Sequence, residues 1–100
     1  MNYHIVLSPD AKADIRSARL WYRRIDRNLA HQFSLEGRTT VRRIAQFPYQ
    51  FPLVNRTVRQ ALLKRFPYAV YYRLYSKLVF VIAVVHQRRS HAIWRQRSRR

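Results

Sequence analysis

One hundred residues, 48% of them hydrophobic and only one a glycine, make a single folded domain that buries about two-thirds of its unfolded surface and leaves little room for disorder. Without cysteine there is no disulfide and no thiolate metal site, and the four acids and four histidines show no ligand spacing, so neither a metal nor a cofactor is expected. A net charge of +17 far exceeds what solubility needs and calls for an anionic partner, either nucleic acid or an acidic protein.

That charge is unevenly spread. Asp10, Asp14, Asp26 and Glu36 are the only acids, all within the first 36 residues, and the remainder is purely cationic. Met1-Asn2-Tyr3-His4 lacks the charged and apolar regions of a signal peptide, and no apolar run approaches the roughly 20 residues that cross a bilayer, so the cytoplasm is the expected address and no membrane partner is expected.

Tyr3 to Leu7 reads as a short strand, and Ser8-Pro9-Asp10 supplies an N-cap, a proline at the first helical position and an acid in the first turn. In the helix that follows, Ala11, Ile15, Ala18, Tyr22 and Ile25 recur at helical spacing and predict one buried stripe with Trp21 beside it, while Arg16, Arg19 and Arg23 face away. Asp26 or Asn28 caps a second helix whose buried face is Leu29, Phe33, Thr40, Ile44 and Phe47. Gly37 fills the missing step, where close helix contact is expected. Pro48 ends that helix, and the loop to Thr57, with its prolines and aromatics, reads as a packed connection.

Three antiparallel strands follow. The first alternates Val58, Gln60 and Leu62 with Arg59, Ala61 and Leu63, and Pro67 suits a corner. The second, Tyr68 to Tyr75, is joined through Ser76-Lys77 to Leu78–Val85, whose eight apolar residues predict a strand buried on both faces and central in the sheet. A short helix over Ser90 to Arg97 completes an α+β fold of order β-α-α-β-β-β with a short terminal α. A helical hairpin packs on one face of a small, mostly antiparallel sheet, in one domain over residues 1–100, with residues 98–100 fraying.

Four pieces carry a family resemblance: SPDAKADI (Ser8 to Ile15), RFPY (Arg65 to Tyr68), YYRL (Tyr71 to Leu74) and HQRR (His86 to Arg89) with Trp94 five residues on. In this order the chain resembles the RelE/ParE superfamily of type II toxin–antitoxin toxins, and the ParE-like branch more closely. The resemblance implies a small basic toxin that stabilises plasmids and forms a hetero-oligomer with a co-encoded acidic antitoxin, whose C-terminal segment wraps the toxin's sheet and helices. Two targets occur in the superfamily: RelE-like members cleave mRNA on the ribosome, and ParE-like members poison DNA gyrase.

Metal-free ribonuclease chemistry needs a base, an acid and cations around the phosphorus. Matched by strand pattern, the positions of the RelE-type strand cations hold Gln60, Leu62 and Ala69, and Trp94 stands where the family tyrosine would be. A nuclease would have to rely on His86, Arg88, Arg73 and Arg65. The reading favours a non-enzymatic toxin that contacts its target through Arg88, Arg89, Trp94 and Arg95 and its antitoxin through Tyr71, Arg73, Tyr75, Arg16, Arg19 and Arg23. Arg97, Arg99 and Arg100 are expected to form a solvated tail. A basic nucleic-acid-binding protein without toxin activity is the third alternative.

Overall fold

The two long helices are joined by a single residue that serves both. In a computed structural model that describes residues 2–99, Asp26 closes α1 (Pro9–Ile25) by donating its N–H to Tyr22 O at 2.8 Å, and caps α2 (Arg27–Gln46) by accepting the Asn28 N–H at 2.8 Å. At the other end of α1 the Ser8 hydroxyl accepts the Ala11 N–H at 3.0 Å, as the sequence predicts. This hairpin lies on a four-stranded sheet of order β1 (His4–Leu7), β4 (Leu78–His86), β3 (Tyr68–Tyr75), β2 (Val58–Leu62), with β1 parallel to β4 and the other pairs antiparallel. Strand β4 is interior, as its unbroken apolar run requires. The two-residue turn after β3 puts Ser76 at φ 53°, the left-handed conformation that a tight hairpin demands.

A bulge in β4 sets up much of the remaining architecture. Tyr71 pairs with Ala83 but Tyr72 pairs with Val81, so Ile82 is an extra residue and both Ile82 and Ala83 point to the same side. Strand β1 ends opposite Val81, leaving the later backbone of β4 without a strand neighbour on that edge. Side chains take over: Asp14 of α1 accepts the Val84 N–H at 2.9 Å, and Arg97 donates to Ile82 O at 3.1 Å. Arg97 and Asp14 also hold each other through bonds of 2.5 and 3.0 Å, with Asp10 3.7 Å away. The Asp14 bond keeps the Arg97 guanidinium above its ordinary value against the opposing effect of burial. The expected solvated tail is corrected here, because Arg97 clasps the C-terminal helix α3 (Ser90–Ser98) to α1. The helix also takes in Ser98, whose carbonyl accepts from Arg73 at 3.2 Å, while Arg100 lies outside the described residues.

Two apolar cores sandwich the sheet. On the hairpin side Ala11, Ala18, Phe33 and Ile44 meet Val70, Tyr72, Val79, Val81 and Val84. The Tyr22, Phe33, Phe66 and Tyr68 rings close that core, with centroids 4.9 to 6.0 Å apart. On the other side α3 covers Val58, Ala69, Tyr71, Ile82, Ala83 and Val85. Trp94 stacks on Tyr71 at 5.8 Å and 19°, and both are buried. The sheet face that carries Tyr71, expected to meet the antitoxin, is therefore filled by the chain's own terminal helix.

Three helix expectations are corrected as well. The packed stripe of α1 stops at Tyr22, leaving Trp21 and Ile25 57% and 61% exposed, and Phe47 at the end of α2 is exposed too. Gly37 makes no close helix contact, since a Cβ built there meets nothing within 4 Å. The Pro48 to Thr57 connection is packed only in part, with Pro48 buried but Tyr49 and Leu53 exposed: a 3₁₀ turn over Pro48–Gln50 gives its carbonyl at Pro48 to the Tyr72 hydroxyl at 2.6 Å, and Arg59 reaches Phe51 O at 2.6 Å.

Candidate functional site: a basic cleft at the end of the central strands

The end of β4 is held rigid by short-range bonds. Tyr68 and His86 face each other in the ladder with rings 5.5 Å apart, and the Gln87 N–H donates to Pro67 O at 2.9 Å. The Arg89 N–H donates to His86 O at 3.0 Å and the Arg88 N–H to His86 Nδ1 at 3.1 Å, so the imidazole caps the turn that carries both arginines. The preceding loop is tied down separately, because the Glu36 carboxylate accepts the backbone N–H groups of Lys64 and Arg65. Arg88 and Arg89 are exposed yet sit on fixed backbone.

Beside this turn lies an open cleft of about 870 Å³. Asp14, Ser17, Trp21 and Tyr22 of α1 form one wall, Tyr68 and His86 the floor, and Arg88, Arg89 and Ile93 the other wall. Burial raises the Tyr68 phenol, an effect that Arg89 opposes and Asp14 reinforces; burial and then Tyr68 raise Tyr22. Both phenols are hydrogen-bond donors at neutral pH and poor bases. With Nδ1 of His86 already accepting from Arg88, the neutral ring carries its proton on Nε2 and has no free lone pair for a base.

Not all of the residues that a nuclease would need converge, because Arg73 stands apart from His86 and Arg88. Arg73 pairs with Phe80, five positions along β3 from the Tyr68–His86 pair, or about 16 Å away. Its guanidinium lies over the Tyr75 ring at 5.4 Å and donates to Ser98 O, with Nε buried and unpartnered. Arg65 is exposed on the loop anchored by Glu36. The positions matched to the strand cations carry none: Gln60 donates to the Tyr71 hydroxyl at 2.7 Å, Leu62 is half exposed and Ala69 is buried.

Of the residues expected to meet a target, Arg88, Arg89 and Arg95 are exposed at this tip, Arg95 lying 3.3 Å from His91, but Trp94 is corrected to the core. Of those expected to meet an antitoxin, Tyr75 and Arg16, Arg19 and Arg23 are exposed, whereas Tyr71 is fully buried and Arg73 is engaged with α3. These fall on opposite sides of the sheet, the arginines on the outer hairpin and Tyr75 beyond the α3 side. Sequence reasoning missed Trp21 as a surface residue and Asp14 as a clasp. A signal for Asp14 was present: an acid three residues after Ala11 and four before Ala18 sits on the apolar face and needs a buried partner.

A family model described as the ParE toxin of type II toxin-antitoxin system, parDE, matches residues 5–91. The chain belongs to the ParE toxin family. A chain of the chromosomal ParDE toxin–antitoxin system from P. aeruginosa shares the fold, with a TM-score of 0.75 and 18% identity over 84% of this chain and 95% of that one. No curated protein matches in sequence. The match to the ParE family model runs through the HQRR turn and ends at His91, so most of α3, with its clasp through Arg97, lies beyond the matched residues. Among the described residues of this ParE-family chain, no helix is long and apolar enough to cross a membrane.

Proposed function

We propose that this chain is a growth-inhibiting toxin that poisons DNA gyrase and is neutralised by a co-encoded acidic antitoxin. The observation that carries the reading is the contrast within one site: the cations of a ribonuclease are absent or dispersed, while Arg88 and Arg89 are held side by side on an anchored turn. Fixed arginines bind anions with less loss of side-chain freedom than a frayed tail, which suits contact with a target's acidic surface or its DNA. Arg95 extends the same tip. The antitoxin engages the exposed Arg16, Arg19 and Arg23 of the hairpin and Tyr75 at the far end of the sheet, where acidic side chains find unpaired cations.

The test is growth inhibition on expression from a tightly controlled promoter without antitoxin. The wild-type chain arrests growth with induction of the DNA-damage response. Arg88→Glu with Arg89→Glu relieves the arrest while unfolding at nearly the wild-type temperature, since both side chains are exposed and surface changes usually stay within about 0.5 kcal/mol. Unimpeded growth with soluble, folded wild-type protein contradicts the toxin reading, and full toxicity of the folded double variant removes the tip as the effector surface.

A further inference from the structure

The outer face of the helical hairpin carries a second cationic site, separate from the cleft. Arg19 and Arg23 of α1 face Arg27, His31 and Arg38 of α2 across a groove of about 380 Å³ floored by Ala30 and Ser34. Arg19 and Arg23 stand four residues apart on α1, and Arg38 and Arg42 four apart on α2, an arrangement of like charges that costs helix stability. Nothing nearby offsets it. Asp10 and Asp14 are drawn to Arg97, Glu36 holds the Lys64–Arg65 backbone and Asp26 caps α2. None of the four groove arginines has an ion-pair partner among the described residues. The Ser34 hydroxyl, at the floor, is buried and without a hydrogen-bond partner.

We propose that this groove binds the phosphodiester backbone of nucleic acid. All four fixed charges are guanidinium forks, which grip phosphate oxygens in pairs, and Ser34 adds a donor that is otherwise unmet. The row continues along α2 to the exposed Arg42, fifteen residues and about 22 Å from Arg27, longer than any small anion but the length of about six successive phosphates on one strand. Leu35 also lines the groove, so an acidic segment is the competing occupant, but the row of guanidinium groups running on to Arg42 favours a continuous phosphate backbone. The inference goes beyond the gyrase reading and does not depend on it. An antitoxin lying over Arg19 and Arg23 displaces the nucleic acid, so the two occupy this face in turn.

The experiment is fluorescence anisotropy of a labelled random-sequence 20-base-pair duplex with the purified chain across a salt series. The groove variant carries Arg19→Gln, Arg23→Gln, Arg27→Gln and Arg38→Gln. A control losing the same charge elsewhere carries Lys12→Gln, Arg56→Gln, Lys64→Gln and Arg99→Gln. Helical circular dichroism verifies folding, and if the groove variant does not fold, Arg23→Gln with Arg38→Gln replaces it. The expected result is a fall of about three to four in the slope of log affinity against log salt, and on the order of a hundredfold weaker binding at 0.1 M salt, for the groove variant. The two-site variant loses about two from the slope. The control loses less than a tenth as much affinity. Equal losses in groove and control variants overturn the proposal. So does displacement of the duplex by polyglutamate as readily as by unlabelled duplex, which assigns the groove to an acidic peptide, or by tripolyphosphate, which assigns it to a small anion.

Discussion

Replacing Asp14 with alanine strips three bonds from one carboxylate: two from Arg97 and one from the Val84 N–H. The side chains of Arg97 and Asp14 are only 17% and 13% exposed, so water compensates poorly. Breaking one partner of a buried ion pair costs about 3 to 5 kcal/mol. Partial solvent access brings this to the lower end, about 3 kcal/mol, with the orphaned Val84 N–H included. For a chain of this length that lowers Tm by about 12 to 24 °C. Asp14→Asn, which keeps an acceptor for Val84, loses about half as much. The assay is a double-mutant cycle by urea unfolding with Asp14→Ala, Arg97→Ala and the pair, alongside near-ultraviolet circular dichroism of the Trp94–Tyr71 stack. The account predicts a coupling of about 1 to 3 kcal/mol and a weakened aromatic signal in each single variant as α3 loosens. Additive losses, with coupling below about 0.5 kcal/mol, refute the clasp.

Three further outcomes follow from other parts of the structure. Gly37→Ala stabilises the chain by about 0.5 to 1 kcal/mol, because the added methyl meets open space and α2 gains propensity; thermal unfolding checks it, and a lower Tm reveals a contact. Burial pushes the Tyr72 phenol up to about 12, outweighing the opposing pull of Arg59. A folded-state value raised above the unfolded 10.0 means stability is complete below pH 10 and is lost between pH 10 and 12, by about 2 to 3 kcal/mol in urea unfolding. Tyr72→Phe shallows that alkaline loss but costs about 1 to 3 kcal/mol at neutral pH, because Pro48 O loses its 2.6 Å partner; an unchanged alkaline slope counts against the assignment.

The element order was legible because each boundary has local chemistry. Ser8-Pro9-Asp10 starts α1, Asp26 turns it into α2, Pro48 stops α2, and the unbroken Leu78–Val85 run places β4 inside the sheet. What escaped was set by tertiary geometry. Trp21 and Ile25 fit the stripe of α1, but the packed ring cluster ends at Tyr22, so periodicity overshot the surface that was available. The bulge at Ile82 leaves no mark in an all-apolar run, yet it turns both Ile82 and Ala83 toward the second core, where Arg97 binds the Ile82 carbonyl. In the candidate site, Arg88 and Arg89 were readable from their place after a rigid strand. The cleft was not, since it forms between α1, the β4 end and α3, segments about 70 residues apart in sequence.

The central claim is that the anchored arginine tip serves a gyrase-poisoning toxin and not a ribonuclease. Purified chain, free of antitoxin, is added to gyrase with supercoiled plasmid and, in parallel, to ribosomes translating a defined mRNA. The account predicts accumulation of gyrase-linked, cleaved DNA that is lost with Arg88→Glu and Arg89→Glu, and an intact message in the translation reaction. Codon-phased mRNA cleavage that disappears with His86→Ala, and no trapped DNA, would contradict it.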